Sequence, residues 1–160
     1  MNLYKSLLAF LFSFLFFFAA DAQNKQSNKP VPPISKEKLP HLKSFLGIYT
    51  DSVSAPATEV ASMIGTPLRI TDEKNNVYTV TYYEFLYKRL AVKEDEATGK
   101  LSPTYSIASE HFKLTPLSEL WVKKIREDIK SGEELFFFDI LVKDALGHVM
   151  YAPDLKIMVK

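Results

Sequence analysis

Cysteine, glycine and an excess charge of either sign are scarce or absent in this 160-residue sequence. The absence of cysteine excludes thiol catalysis, zinc fingers, a disulfide framework and a lipidated N-terminal cysteine. The 20 basic residues nearly balance the 19 acidic residues, and neither sign is gathered into a block. A nucleic-acid-binding groove is therefore not indicated. The length fits one modest domain with its own core.

The motifs of common catalytic sites are absent as well. With five glycines and three histidines, the chain contains no phosphate-binding or dinucleotide-binding glycine loop, no H-E-x-x-H and no G-x-S-x-G. His41, His111 and His148 stand in separate segments, so no metal site is predicted. We predict a protein that is not an enzyme and that has no catalytic residue, cofactor or metal ion.

Two places with carboxylates remain as candidates for chemistry. Glu110 and His111 could form an acid–base pair only with a nucleophile and a pocket, and we interpret them as polar surface residues of an edge strand. Asp139 lies within an otherwise apolar segment. If buried it would need hydrogen-bond partners and could have a raised pKa, whereas at the rim of a sheet it would be solvated. We favour a structural role for Asp139 and keep carboxylate catalysis as a third hypothesis.

The N-terminal segment has the pattern of a secretory signal peptide. Lys5 precedes an apolar run at residues 7–18, and Ala20-Asp21-Ala22 offers a small-x-small cleavage site. The run is short for a permanent membrane span, although an uncleaved anchor is the alternative. We predict a signal peptide over residues 1–22 and export, to the periplasm or to the extracellular space. Residues 23–46 are interpreted as a proline-containing flexible tether, with a turn of helix after Pro40.

Strand patterns dominate the rest of the chain. Residues 77–93 are dense in Val, Tyr, Thr and Phe, and their length predicts a bend or bulge near Glu84. Weaker strand patterns cover residues 66–71 and 105–114. Residues 134–143 and a closing segment over residues 149–160 are also predicted as strands, joined by a hairpin turn.

Two segments carry helix signals. Ser54-Ala55-Pro56 precedes a short helical segment that ends near Gly65. Thr115-Pro116 is predicted to open a longer helix that ends at Ser131-Gly132 and places Leu120, Trp121, Ile125 and Ile129 on one face.

Runs of strands with short turns and no repeated β-α-β order predict a mainly β, antiparallel sandwich with packed helices.

The C-terminal half resembles a known family. Residues 129–147 (IKSGEELFFFDILVKDALG) and 152–160 (APDLKIMVK) are similar to the end of the C-terminal domain of the GldM/PorM type. These are periplasmic proteins of the gliding-motility and type IX secretion machinery. The resemblance covers residues 47–160 and rests on the order and spacing of several elements. It implies an immunoglobulin-like β-sandwich with one or two packed helices, here following a signal peptide and tether directly.

The sequence also departs from that family. Residues 144–147 (DALG) replace its usual turn, and Phe138 and Leu141 stand where polar residues are usual. We hypothesise that another molecule covers this face. The motor-coupling role of the family's membrane helix does not carry over, because nothing in this chain corresponds to that helix.

These observations lead to a hypothesis of protein binding. We expect an exported, non-enzymatic interaction module of the bacterial envelope, accessory to gliding motility or type IX secretion. It would bind a protein partner or a second copy through a sheet surface or an edge strand. The candidate contacts are Tyr83, Phe85, Tyr87, Phe138 and Leu141. For any one of them, packing against neighbouring strands or the helix that carries Trp121 is the favoured interpretation. The alternative function is a soluble envelope protein that binds a small ligand such as a glycan fragment.

Overall fold

The computed structural model describes residues 39–160. The predicted signal peptide, residues 1–22, and most of the predicted tether lie outside the described residues. Within them the chain is mainly β, with two helices. The elements in chain order are β1 (Leu42–Leu46), β2 (Tyr49–Thr50), β3 (Ser52–Ala55), α1 (Ala57–Met63), β4 (Leu68–Asp72), β5 (Val77–Glu94), β6 (Leu101–Phe112), α2 (Glu119–Asp128), β7 (Glu134–Lys143), β8 (Val149–Tyr151) and β9 (Leu155–Val159).

The nine strands form one mixed sheet that nearly closes into a barrel. The main strand order is β2-β1-β4-β5-β7-β9-β3, while β6 pairs with β5 and β8 pairs with β7. All pairs are antiparallel except β3 with β9, where Val53 lies opposite Ile157 in parallel register. The prediction of a wholly antiparallel sheet was therefore wrong at this edge. The pairing joins segments about a hundred residues apart, so local patterns carry no signal for it.

Strand β5 organises the sheet and contains the predicted irregularity. Its first residues pair with β4, whereas the rest pairs with β6 on one side, and β7 pairs along most of its other side. The register against β7 shifts between Val80 and Tyr82 and again between Tyr82 and Glu84, which confirms the predicted bulge near Glu84. The Thr81 side chain donates a hydrogen bond to the Leu141 carbonyl at this point (3.2 Å). Bulges of this kind bend a strand and redirect its side chains.

The hydrophobic core lies between the inner side of this sheet and the two helices. From α2, Ile125 is fully buried and Trp121 packs against the core. The fully buried aromatic and aliphatic side chains come mainly from the middle strands, and the largest are Tyr83, Phe85, Tyr87, Leu135, Phe137, Ile140, Leu155 and Ile157. Burial of this apolar surface is the main stabilising contribution to the fold.

Three predicted boundaries need correction. The tether was predicted to reach residue 46, but Leu42–Leu46 forms strand β1 with both of its end residues buried, so no helical turn follows Pro40. Helix α2 begins at Glu119 instead of Thr115, because the Thr115 hydroxyl accepts a hydrogen bond from the Leu68 amide (2.6 Å) and ties the loop to β4. The helix also ends earlier, at Asp128.

Other predicted elements are confirmed. The strand over residues 134–143 has the predicted bounds, and the short helix occupies Ala57–Met63. The turn at residues 144–147 closes with a hydrogen bond from the Gly147 amide to the Asp144 carbonyl (3.1 Å). The closing segment is divided into two strands, β8 and β9, which pair with different parts of β7.

Candidate interaction surface on the outer face of the sheet

Three of the five predicted contact residues lie inside the protein. Tyr83, Phe85 and Tyr87 each expose 0% of their surface and point toward the core. The bulge in β5 explains the difference, because Tyr78 and Val80 are the inward residues before it and odd-numbered positions point inward after it. A shift of one residue moves every later side chain to the opposite face. The prediction that these three residues contact a partner was therefore wrong.

The three aromatic side chains instead pack in the core, where Phe85 contacts α2. Tyr83 stacks on Phe112 with ring centroids 5.4 Å apart. Phe85 packs edge-on against Trp121 at 5.2 Å and lies 4.9 Å from Phe137. Aromatic pairs at these distances stabilise a core beyond the area they bury. Their role is structural.

The hydroxyl of Tyr87 donates a hydrogen bond to Glu133, a buried carboxylate that the sequence interpretation missed. Glu133 also accepts hydrogen bonds from the backbone amides of Leu90 and Lys130, both at 3.1 Å. Burial, and then the hydrogen bond to Glu133, raises the pKa of Tyr87 above its usual value. Glu133 stands between Gly132 and an apolar strand, a position typical of surface residues. No local sequence pattern therefore predicts its burial.

The other two predicted contacts, Phe138 and Leu141, lie on the outer face of the sheet and are half-buried. In β7, Leu135 and Phe137 point inward, so Phe138 points outward. Asp139 interrupts the alternation with a φ of 49°, after which Ile140 is again buried and Leu141 is outside. The structure therefore places both residues where a partner could reach them.

Cross-strand pairing extends this surface over five strands. Leu86 lies opposite Phe136, Tyr82 opposite Leu141, and Leu141 opposite Tyr151. The rings of Phe136 and Phe138 stack at 5.0 Å. We name as the outer apolar face the set Tyr82, Leu86, Tyr105, Ile107, Phe136, Phe138, Leu141, Tyr151 and Met158. Among these, Tyr151 and Ile107 are 70% and 64% exposed. Exposed apolar side chains gathered on one face of a sheet are a feature of interaction sites.

Two lysines meet one carboxylate at one end of the outer apolar face. The Glu134 carboxylate contacts the Lys88 ammonium at 2.9 Å and the Lys156 ammonium at 2.8 Å. Hydrogen bonds from Lys156 and Lys88 hold the pKa of Glu134 below its usual value. Lys88 also lies 4.3 Å from the centroid of the Tyr105 ring, a cation–π distance. This end carries a net charge of +1.

Two carboxylates lie beside Phe138. The Tyr82 hydroxyl donates a hydrogen bond to Glu84, and the Tyr82 ring stacks on His111 at 6.1 Å. The hydrogen bond to Glu84, followed by burial and by the charges of Glu84 and Asp139, raises the pKa of Tyr82. Glu84 lies opposite Phe138 and Asp139 follows it in β7, so both negative charges lie within the outer apolar face.

The two carboxylate candidates for chemistry have other roles. Asp139 is exposed and occupies the left-handed backbone region at the bulge, which Asp tolerates better than most residues. The structural interpretation of Asp139 is thereby supported. Glu110 lies opposite Phe85 and accepts a hydrogen bond from the Trp121 indole, whereas His111 lies opposite Glu84 on the other face of the sheet. Adjacent strand residues point to opposite faces, so Glu110 and His111 do not form an acid–base pair.

A groove on another side of the described residues is the alternative kind of site. An open groove of about 590 Å³ lies between β4, β5 and the loop before α2, and Tyr78 is its only aromatic lining residue. Within residues 39–160, no cluster of three or more metal-ligating side chains occurs. Neither of the two helices described there is long and apolar enough to cross a membrane.

Comparison with known proteins assigns no family to the chain. No family model matches the sequence, and a search of curated proteins finds no significant match.

Proposed function

We propose that this protein is an exported, non-enzymatic protein–protein interaction module of the bacterial envelope, which binds its partner through the outer apolar face. The observation that carries the proposal is the position of Phe136 and Phe138 at the centre of that face, stacked on each other and flanked by apolar side chains from neighbouring strands. Interfaces are enriched in aromatic residues with polar groups around them, and charged side chains such as Lys88 and Glu84 lie beside these rings.

The same proposal includes the finer fold class and the biological setting. The strands would form an immunoglobulin-like sandwich in which β5 passes from one sheet to the other at its bulge. Within this proposal the chain is a relative of the GldM/PorM C-terminal domain, accessory to gliding motility or type IX secretion. Export rests on the N-terminal signal pattern.

Binding of a small ligand such as a glycan fragment is less well supported. Carbohydrates stack on the open faces of aromatic rings, and Phe136 and Phe138 each give one ring face to the other. The groove beside Tyr78 offers one aromatic side chain and is open to solvent. Ligand sites are usually concave, with several converging polar groups.

The test is capture of partners by the tagged protein from its own envelope after mild cross-linking, followed by mass spectrometry. Phe138→Thr keeps a strand-forming residue but removes the ring, so it should lose the captured partner, and its melting curve establishes that the variant is folded. Leu146→Thr, at a turn residue that is 81% exposed, is the matched control and should capture normally. Equal capture by both variants would refute the assignment of the binding surface. Capture of nothing by the unaltered protein would move the small-ligand alternative to first place.

A further inference from the structure

We propose that the free edge of β6 receives an extended peptide segment of the protein partner, which adds a strand to the sheet through its main chain. This inference rests on the proposed function, because it states how the partner is held. Strand β6 borders the outer apolar face, to which it contributes Tyr105 and Ile107.

Strand β6 has a long edge without a neighbour. It contains 12 residues and, within residues 39–160, pairs with β5 alone. Its register against β5 runs without a shift, from Tyr83 opposite Phe112 to Glu94 opposite Leu101. The other strands that end the pairing are β2, β3 and β8, with two, four and three residues. Of these edges in the described part of the chain, that of β6 is the one long enough to template a full strand.

The hydrogen bonds of β5 show which backbone groups of β6 point to this edge. The Leu90 amide donates to the Glu133 carboxylate (3.1 Å) on the β7 side of β5, so Leu90 forms a non-hydrogen-bonded pair with Tyr105 opposite it. The amide and carbonyl of Tyr105 therefore point away from β5, as do those of every second residue along β6. Pro103, which has no amide hydrogen, falls in this same set, where a proline interrupts no ladder hydrogen bond.

The free edge therefore presents a row of backbone donors and acceptors. We name as the outward amides those of Tyr105, Ile107, Ser109 and His111. At about 3.3 Å per residue the row is roughly 20 Å long. Donors and acceptors that alternate at this spacing are complementary to another extended main chain. This geometry identifies the occupant as a peptide strand.

The side chains of the edge favour pairing as well. Sheet edges that must stay free usually carry lysine, proline or a bulge. In β6, Pro103 and Glu110 lie on either side of residues 104–109, which contain neither proline nor a charged residue. Tyr105 and Ile107 in this stretch are 50% and 64% exposed. A partner segment with apolar side chains at alternate positions would cover both of them, because neighbouring strands bring same-face side chains together.

The experiment changes one backbone amide and repeats the capture of the envelope partner. Ser109→Pro removes an outward amide and leaves the hydrogen bonds to β5 in place, so it should weaken binding by about tenfold or more. Ser109→Ala is the matched control, because it removes the exposed hydroxyl but keeps the amide, and it should bind like the unaltered protein. Ser106→Pro removes an amide that points to β5, so this variant alone should have a clearly lowered melting temperature.

Amide hydrogen exchange, followed by NMR, gives a second measurement that needs no variant. In the unaltered protein the outward amides should exchange quickly, whereas the amides of Ser106, Ala108 and Glu110 should be protected by β5. Addition of the purified captured partner should slow the exchange of the outward amides.

Loss of binding in Ser109→Pro but not in Ser109→Ala, together with new protection of the outward amides, would support the proposal. Normal binding by Ser109→Pro would overturn it, and if Phe138→Thr still loses the partner, the proposed function stands. Outward amides that are already protected in the protein alone would also overturn it, and protection that disappears on dilution would identify a second copy as the occupant. If the unaltered protein captures no partner, both proposals fail.

Discussion

The two tyrosines of β5 that point inward provide a matched test of the core. Tyr83 and Tyr87 are both fully buried on the same strand, four residues apart. The Tyr87 hydroxyl donates to the buried Glu133 carboxylate, whereas the Tyr83 hydroxyl has no hydrogen-bond partner among the residues that the structure describes. Replacing each by Phe removes the same atom from two different environments. Tyr87→Phe should therefore lower the stability, whereas Tyr83→Phe should leave it unchanged or raise it.

The expected change in unfolding free energy follows from the hydrogen-bond partners of each tyrosine hydroxyl. Tyr87→Phe removes a hydrogen bond to a charged acceptor and leaves Glu133 with its two backbone donors, which should cost about 1.5–3 kcal/mol of unfolding free energy. Tyr83→Phe removes a buried hydroxyl that makes no hydrogen bond in the folded state. The free energy of unfolding should therefore stay equal or rise by about 1 kcal/mol. The melting temperatures of the two variants should differ by roughly 10 °C.

Urea unfolding followed by tryptophan fluorescence measures both changes, because Trp121 packs on Phe85 in the same core. The slope of free energy against urea concentration should match the unaltered protein, so that the midpoint reports stability alone. The reasoning would be refuted if Tyr83→Phe cost as much as Tyr87→Phe, since the Tyr83 hydroxyl would then have a stabilising partner. A neutral Tyr87→Phe would equally show that Glu133 does not depend on this donor.

Two further predictions address the ion pairs and the start of the folded part. The pKa of Glu134 is lowered in the folded state by Lys156 and Lys88, so its contribution is fully present above the unfolded carboxyl pKa and is lost as the pH falls through the folded value. Glu134→Gln should therefore cost about 0.5–1 kcal/mol at neutral pH and nearly nothing at a pH below both pKa values, measured by urea unfolding at each pH. Leu46→Ala should cost about 2–4 kcal/mol because Leu46 is buried in β1, whereas the neighbouring Ile48→Ala, at a 74% exposed position, should change the melting temperature little. If Leu46→Ala changed the free energy of unfolding little, residues 42–46 would belong to the predicted tether and not to the core.

Only part of the candidate site was predicted from the sequence. Phe138 and Leu141 were singled out because apolar residues stood where polar ones were expected, and the structure places both on the outer face. Their neighbours Phe136 and Tyr151 were missed, although the alternation along β7 would have grouped Phe136 with Phe138. Tyr151 follows a turn and joins the face only through its pairing opposite Leu141, which local sequence does not contain.

The sequence by itself determined the strand-rich composition, the long β5 segment with its bend, the bounds of β7 and the turn that follows it. These features depend on residues close together in the chain, through backbone preferences and alternating polarity. Only the tertiary structure decided which side of β5 is the core, because a bulge of one residue inverts the faces of every later position. It also decided that β3 lies parallel to β9 and that Glu133 is buried beneath Tyr87. Both depend on contacts between distant segments, which form only when the chain has folded.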